Sequence, residues 1–154
     1  MTGKLKREIK QKRPFRSVQE EVVLSVMRTA DHVASRTSDV LRGANISPSQ
    51  YNVLRILRGA GEEGLPCGEI SERMVRRDPD LTRLLDRLEK GNLVARERDT
   101  KDRRIVRASI TEEGLALLAS LDEPVEQSIR RALSHVPATR LRALLQLLEE
   151  VRGG

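Results

Sequence analysis

Aromatic residues and cysteines are nearly absent from this sequence. Its 154 residues include only two aromatic side chains, Phe15 and Tyr51, and a single cysteine, Cys67. One cysteine excludes an intrachain disulfide and a zinc site built from cysteines, which indicates an intracellular setting, the cytoplasm. The two histidines, His32 and His135, have no cysteine or acidic cluster at ligand spacing. We therefore predict no metal site.

Long apolar runs and recognisable catalytic sets are also missing. No apolar run approaches the ~18 residues of a membrane helix, and no apolar segment follows the basic N-terminus as it would in a secretory signal. The sequence has no nucleophile with a partnered base, no phosphate-cradling glycine loop and no paired carboxylates. It therefore predicts a protein that does not enter the membrane, needs no cofactor and is not an enzyme.

Charge is abundant and unevenly placed. Charged residues make up 34% of the chain and the net charge is +6. Residues 1–16 hold seven Lys or Arg and one Glu, a net of +6, and residues 73–107 hold twelve basic and seven acidic residues, a net of +5. Two basic segments on an otherwise acidic chain predict a polyanion partner, with nucleic acid first. A membrane surface is disfavoured because interface-seeking Trp is absent.

Two capping boxes predict where the first two helices begin. Ser17 and Glu20 have the spacing of a capping box, and apolar residues at helical spacing continue from there to near Gly43. Ser47 and Gln50 form the second box, and the proline between them suits the first position of a helix.

A loop and two further helices follow. Glycines and a proline predict a loop at 59–66, and a short helix is expected at about 67–74. Asp78 is expected to cap the next helix, with Pro79 at its first position and a leucine stripe along one face. Gly91 and Asn92 are expected to end this helix, because both tolerate a left-handed backbone.

Alternating apolar residues then predict a charged β-hairpin. Two closing helices are expected after it. The strands are Leu93 to Arg98 and Ile105 to Ile110, joined by the turn "DTKD". Thr111 is expected to cap the fifth helix, which Pro124 should kink. The last helix follows "SHVPAT" and carries a leucine stripe.

This order predicts a mainly α fold with a small β-hairpin wing: a winged helix-turn-helix. In that motif the outward side of the second helix meets base edges in the major groove, while residues near the helix ends touch phosphates. The wing drops an arginine into the minor groove, and here Asp102 would hold Arg104 extended. The residues predicted to bind DNA are Arg76, Arg77, Thr82, Arg83, Asp86, Arg87, Lys90, Asp102, Arg103 and Arg104.

The stretch "LTRLLDRLEKGNLVARERDTKDRRIVRASITEEG", residues 81–114, resembles the core of the MarR family of transcriptional regulators. The resemblance extends more loosely over about residues 17–152. The family often has Gly where Asn92 stands, and Asp80 adds an acid at the start of the recognition helix. We expect Asp80 to cap the helix rather than accept from a cytosine. The positions in register with the family pattern are Thr82, Arg83, Asp86, Leu88, Glu89, Leu93, Val94, Arg96, Asp99, Asp102, Arg103, Arg104, Thr111 and Gly114.

The resemblance implies a homodimer with interlocking terminal helices that binds a pseudo-palindromic operator at the bacterial nucleoid. Residues 17–46 and 112–154 would form the dimerisation region, and residues 47–111 the DNA-binding lobe. Residues 1–16 are expected to be a flexible basic tail, either a solvating segment or an arm that follows phosphates. The dimerisation contacts are expected from Val22, Val26, Leu141, Leu144, Leu145 and Leu148.

The resemblance also implies repression that a small anionic or aromatic effector, or thiol oxidation, relieves. His32, Arg36, Tyr51 and Arg55 would line the effector cleft, although packing and surface ion pairs explain each of them alone. Cys67 is an oxidation sensor or, more simply, a small buried hydrophobe. The rival function is a winged-helix architectural or protein-interaction module that does not read sequence.

Overall fold

The computed structural model describes residues 3–153 and is mainly helical with one small antiparallel sheet, which confirms the predicted fold class. Residues 1 and 2 of the predicted tail, and residue 154 of the predicted dimerisation region, lie outside the described part. Among the helices of residues 3–153, none combines the length and apolar character that crossing a bilayer requires. The elements are α1 Lys4–Glu8, α2 Val18–Gly43, α3 Pro48–Ala60, β1 Leu65–Pro66, α4 Cys67–Arg73, α5 Leu81–Lys90, β2 Val94–Arg98, β3 Val106–Ile110, α6 Glu112–Leu133 and α7 Ala138–Val151.

Both predicted caps are present, but only one is a complete box. At α3, the Ser47 hydroxyl accepts from the Gln50 N–H at 3.1 Å, and the Gln50 side chain accepts from the Ser47 N–H at 2.8 Å. At α2, the Ser17 hydroxyl accepts from the Glu20 N–H at 3.1 Å, whereas the Glu20 carboxylate accepts from the Arg16 N–H at 2.5 Å. Each pattern satisfies helix-end donors that would otherwise lack partners.

The core lies in the lobe that α3, α4, α5 and the sheet build, with α6 packed on one side. Leu41 at the end of α2 joins the same core. Burying these aliphatic side chains supplies most of the free energy that holds helix α5 against the sheet. The largest fully buried side chains are Leu54, Leu57, Ile70, Leu85, Leu88, Leu118, Val53 and Val94.

The prediction of a loop over residues 59–66 is wrong at both ends, because α3 continues to Ala60 and Leu65–Pro66 form strand β1. Leu65 pairs with Ala108 and Pro66 with Arg107, giving a sheet of order β1-β3-β2. Two residues are too few to show an alternating pattern in sequence. Gly64 precedes the strand with φ +63°, and a Cβ there would overlap the Ala108 carbonyl oxygen. Only glycine allows this close approach.

Helix α5, the predicted recognition helix, begins later than expected. Asp78 does not cap it; its carboxylate accepts from the Asp80 N–H at 2.8 Å, an Asx turn that keeps Pro79 outside the helix. Asp80 occupies the cap position without a side-chain cap hydrogen bond, so the expected capping role is also wrong. The helix ends as predicted, with Asn92 in the left-handed region at φ +60°.

Helices α2 and α6 pack antiparallel, and α2 extends beyond α6. The Ser128 hydroxyl of α6 donates to the Arg36 carbonyl at 3.0 Å, while Leu41, later in α2, shares the core with Leu121, earlier in α6. Since α6 ends at Leu133, it covers α2 back to about residue 30 at 1.5 Å per residue. The uncovered part of α2 exposes Val18, Val22, Val23, Val26 and Met27.

Part of the predicted flexible tail is ordered. Residues Lys4–Glu8 form α1, in which Leu5 is buried and Lys4 lies 3.5 Å from Glu8. The prediction weighed the charges of this segment and overlooked the single leucine among them, which is enough to anchor a short helix.

Candidate nucleic-acid interface

Helix α5 has one buried and one exposed side, as a recognition helix requires. Leu84, Leu85 and Leu88 face the core. On the opposite side Thr82, Arg83 and Arg87 are exposed, as predicted from the sequence. The Arg83 side chain is 77% exposed, and its Nε lies 3.4 Å from an Asp80 carboxylate oxygen. Exposed pairs of this kind contribute about 0–1 kcal/mol, so Arg83 is free to leave Asp80 for a base edge.

Arg96 on β2 joins the recognition helix to the wing. Its guanidinium donates to Asp86 at 2.5 Å and to Glu89 at 3.1 Å, and its backbone N–H donates to Glu89 at 3.1 Å. The Arg96 side chain is only 21% exposed. We call these three residues, Asp86, Glu89 and Arg96, the Arg96 clamp; it fixes the angle between α5 and the sheet.

The clamp shifts the pKa of Glu89 and of Arg96. The hydrogen bonds from Arg96 lower the pKa of Glu89, and those to Glu89 and then Asp86 raise the pKa of Arg96. Glu89 and Arg96 therefore both stay charged at neutral pH. The sequence predicts that Asp86 faces base edges, but its carboxylate is held by Arg96; a direct contact of Asp86 with DNA stays a prediction.

The wing tip is folded by two aspartates. Asp99 accepts from the backbone N–H groups of Lys101 at 2.7 Å and Asp102 at 3.3 Å, which lowers its pKa. Arg107 lies 3.4 Å from Asp99 and also donates to the carbonyl of Gly64 at 3.1 Å. This ties the tip to the segment that precedes β1.

Asp102 holds Arg104 as predicted. Its carboxylate accepts from the Arg104 N–H at 3.1 Å, from Nε at 3.2 Å and from Nη2 at 3.3 Å. These hydrogen bonds lower the pKa of Asp102. The Arg104 side chain is nevertheless 91% exposed. Arg104 thus lies exposed at the wing tip, and its hydrogen bonds to Asp102 favour an extended side chain, which lowers the entropy cost of binding.

The remaining predicted DNA contacts are exposed around this surface. Arg76 and Arg77 lie in the turn before α5, Lys90 ends α5, and Arg103 lies at the wing tip. The turn is anchored to α3, because the Val75 N–H donates to the Asn52 side chain at 2.9 Å. These positions are those from which arginines and lysines reach phosphates.

Two of the predicted effector residues, Tyr51 and Arg55, are in direct contact. The Arg55 guanidinium lies 5.9 Å from the centre of the Tyr51 ring, within cation–π range. His32 and Arg36 lie exposed on α2, and no hydrogen bond or ion pair in residues 3–153 joins them to Tyr51 or Arg55.

An ion pair between α3 and α6 was not anticipated from the sequence. Arg58 donates twice to Asp122, at 2.9 and 3.0 Å, which lowers the pKa of Asp122. Arg55 lowers it further through its nearby charge. The pair links α3 to the long helix α6, one helical turn from Arg55.

Cys67 and the predicted dimerisation residues have distinct environments. Cys67 is half-buried, and burial raises the pKa of its thiol despite the nearby charge of Arg96. A raised pKa leaves less of the reactive thiolate form, which favours the role of a small hydrophobe over that of an oxidation sensor. Among the predicted dimerisation residues, Leu141 and Leu148 are half-buried, while exposed apolar surface comes from Val22, Val26, Leu144 and Leu145.

The interface includes residues to which residue-by-residue reasoning gave no role: Glu89, Arg96, Asp99 and Arg107. For the Arg96 clamp, the sequence did contain a signal in the spacing of its residues. Asp86 and Glu89 are three apart on one helix face, and Arg96 is the third residue of the following strand. Assigning Arg96 to them required knowing that the strand folds back along the helix.

Comparison with known proteins places the same region in one family. The MarR family model matches residues 46–106. The repressor MdtR of Bacillus subtilis is 34% identical over 94 residues, 61% of this chain but only 59% of that protein. The regulator PrsX of Escherichia coli is 31% identical over 119 residues, 77% of this chain and 72% of that protein. A MarR transcription factor structure from Planctomyces limnophilus is 38% identical, with TM-score 0.68 over 88% of this chain and 98% of that one.

Arg96→Met should weaken DNA binding although Arg96 is not itself expected to touch DNA. Binding would then have to order the wing against α5, which we expect to cost roughly tenfold in affinity. The pKa of Glu89 should rise toward its ordinary value, because the hydrogen bonds that lower it are gone. Equilibrium titration with a duplex, and NMR titration of the glutamate carboxyls, measure the two effects.

Arg130→Met is the matched control, since it removes an exposed arginine–glutamate pair on α6, where Arg130 lies 2.7 Å from Glu126. Equal DNA affinities for the two variants, or an unchanged pKa of Glu89, would show that the clamp does not position the wing. Because the folded-state pKa of Glu89 is lowered, its contribution to stability is present above the unfolded pKa. That contribution should be lost as pH falls through the folded value, in the wild type only.

Proposed function

The chain belongs to the MarR family and is a DNA-binding transcriptional regulator, and we propose that it is a repressor that binds a pseudo-palindromic operator as a homodimer. The observation that carries the proposal is the Arg96 clamp, which fixes two outward arginine sets, on α5 and on the wing, relative to each other. The protein acts by binding rather than by catalysis, in the cytoplasm at the nucleoid.

Each element has its own task on the duplex. Helix α5 enters the major groove, where Arg83 and Arg87 bond guanine edges and Thr82 contacts a neighbouring base. The wing places Arg104 in the adjacent minor groove. The exposed cations at the ends of α5, in the preceding turn and at the wing tip bind phosphates and set the register: Arg76, Arg77, Lys90 and Arg103.

Two substitutions separate this function from sequence-independent binding. Arg83→Ala should reduce the preference for a selected duplex over a scrambled one by about 1–3 kcal/mol, because one bidentate base contact is lost. It should retain affinity for the scrambled duplex. Arg104→Ala should weaken binding to both duplexes. Competition titration measures both. If the variants match the wild type on both duplexes, an architectural or protein-interaction module is the better description.

The homodimer is supported by apolar surface that the single chain leaves uncovered. Leu144 is 45% and Leu145 59% exposed on α7, which has no buried residue. The start of α2 also exposes large apolar side chains. Apolar faces of this kind favour association. A second copy would cover α7 and the part of α2 beyond α6 with the same two faces, in two-fold symmetry.

Leu145→Glu should therefore dissociate the dimer. Placing an unpaired carboxylate in the interface costs about 3–5 kcal/mol, so the dimer dissociation constant should rise roughly hundredfold or more. Gln146→Glu is the control, since it adds the same charge one position along, on the other side of α7. Sedimentation equilibrium measures both. A wild-type monomer, or equal effects of the two variants, would contradict this interface.

A small anionic aromatic effector is proposed at Tyr51 and Arg55. The support is their cation–π contact and the adjacent Arg58–Asp122 pair, through which an anion at Arg55 would disturb the link between lobe and α6. Tyr51 is the only tyrosine and the chain has no Trp, so tyrosine emission reports on this site alone. Benzoate should change that emission saturably in the wild type and not in Arg55→Met. A linear response, or the same curve for both proteins, would count against the site.

A further inference from the structure

The N-terminal basic segment, residues 3–17, carries charge that the proposed DNA interface does not use. It contains seven Lys or Arg and one Glu. Of these cations, only Lys4 forms an ion pair with a carboxylate among residues 3–153. Lys6 is half-buried, and five further cations are exposed: Arg7, Lys10, Lys12, Arg13 and Arg16.

The segment is held in place rather than trailing free. Leu5 is 8% exposed, and Lys6, Phe15 and Val18 line one cleft between the segment and the start of α2. Gly3 lies so close to the Glu21 carboxylate that a Cβ would overlap it. The cations are therefore presented from a defined place at the tip of α2.

That place is far from the winged lobe. Leu41 of α2 belongs to the core of the lobe, and Val18 lies 23 residues earlier on the same helix. At 1.5 Å per residue the separation along the helix is about 35 Å. Helix α2 packs mainly against α6 and α3, whereas α5 packs against α3 and β2. The basic segment and the recognition helix thus lie at two separated ends of the chain.

We propose that the N-terminal basic segment is a second DNA-binding surface, which holds the phosphates of a duplex segment other than the one at the winged lobe. The inference rests on the proposed function, since the lobe must hold the first duplex. Four of the seven cations are lysines, which bind phosphate as point charges without base readout. Single-stranded nucleic acid is disfavoured, because stacking needs aromatic side chains and the segment has only Phe15.

The test is a two-duplex capture experiment. A duplex selected for binding is immobilised and saturated with full-length protein, and a labelled unrelated duplex is then added. The wild type should retain the labelled duplex at about 50 mM salt and lose it by about 200 mM, since each phosphate contact adds ~0.9 to the salt slope. Protein retention on the immobilised duplex reports the proposed function separately.

Two variants with equal charge change make the result specific. The combined change Lys10→Gln, Lys12→Gln, Arg13→Gln and Arg16→Gln should cut capture of the labelled duplex roughly tenfold. The same variant should remain on the immobilised duplex, which also shows that it folds. The control neutralises four exposed arginines outside the segment, α5, the wing and α7, and it should capture like the wild type: Arg42→Gln, Arg130→Gln, Arg131→Gln and Arg152→Gln.

Each other outcome overturns one statement only. If wild-type protein occupies the immobilised duplex but captures no second one, the segment is not a second DNA surface and the proposed function stands. The inference is likewise overturned if the segment variant captures as much labelled duplex as the wild type. It is also overturned if the control variant loses as much capture as the segment variant. Failure of the wild type to prefer the immobilised duplex over a scrambled one contradicts the proposed function itself.

Discussion

One half-buried arginine, Arg96, joins helix α5 to the wing. Arg96 stands on the first wing strand and is bonded to two carboxylates one helical turn apart on α5. A guanidinium presents its donors in a rigid fork, so two carboxylates and one arginine specify an angle as well as a distance. Without that angle, α5 and the wing would reach the duplex as separate elements, and their positions would have to be ordered on binding.

Carboxylates also hold the arginines of the wing in place. Asp99 organises the turn through backbone N–H groups, and Arg107 joins that turn to the segment before β1. Asp102 then holds Arg104 while leaving it exposed. Acidic residues that seem out of place beside DNA are thus the partners that restrain the arginines. The wing carries acids because an unrestrained long side chain would lose more entropy on binding.

The sequence predicted the elements well where a local rule applies, as at the Ser47 cap, the Thr111 cap and the alternating strand β3. It failed where a distant partner decides the outcome. Strand β1 exists because Ala108 and Arg107 lie opposite it. At Asp78 the miss was local instead, because its carboxylate accepts from the Asp80 N–H in an Asx turn, which competes with capping. The exposed sides of α5 and the wing tip followed from helical and strand periodicity. The Arg96 clamp and the Arg58–Asp122 pair join separate elements, which periodicity does not position.

The central claim is that this surface reads sequence with two-fold symmetry. Selection of bound duplexes from a random library, with purified protein at near-physiological salt, tests it most directly. A symmetric dimer that reads bases should enrich a two-fold-symmetric motif whose half-sites lie about one helical turn, ~10 bp, apart. Salt-sensitive binding without any enriched motif would contradict it, since the basic charges would then supply affinity without readout.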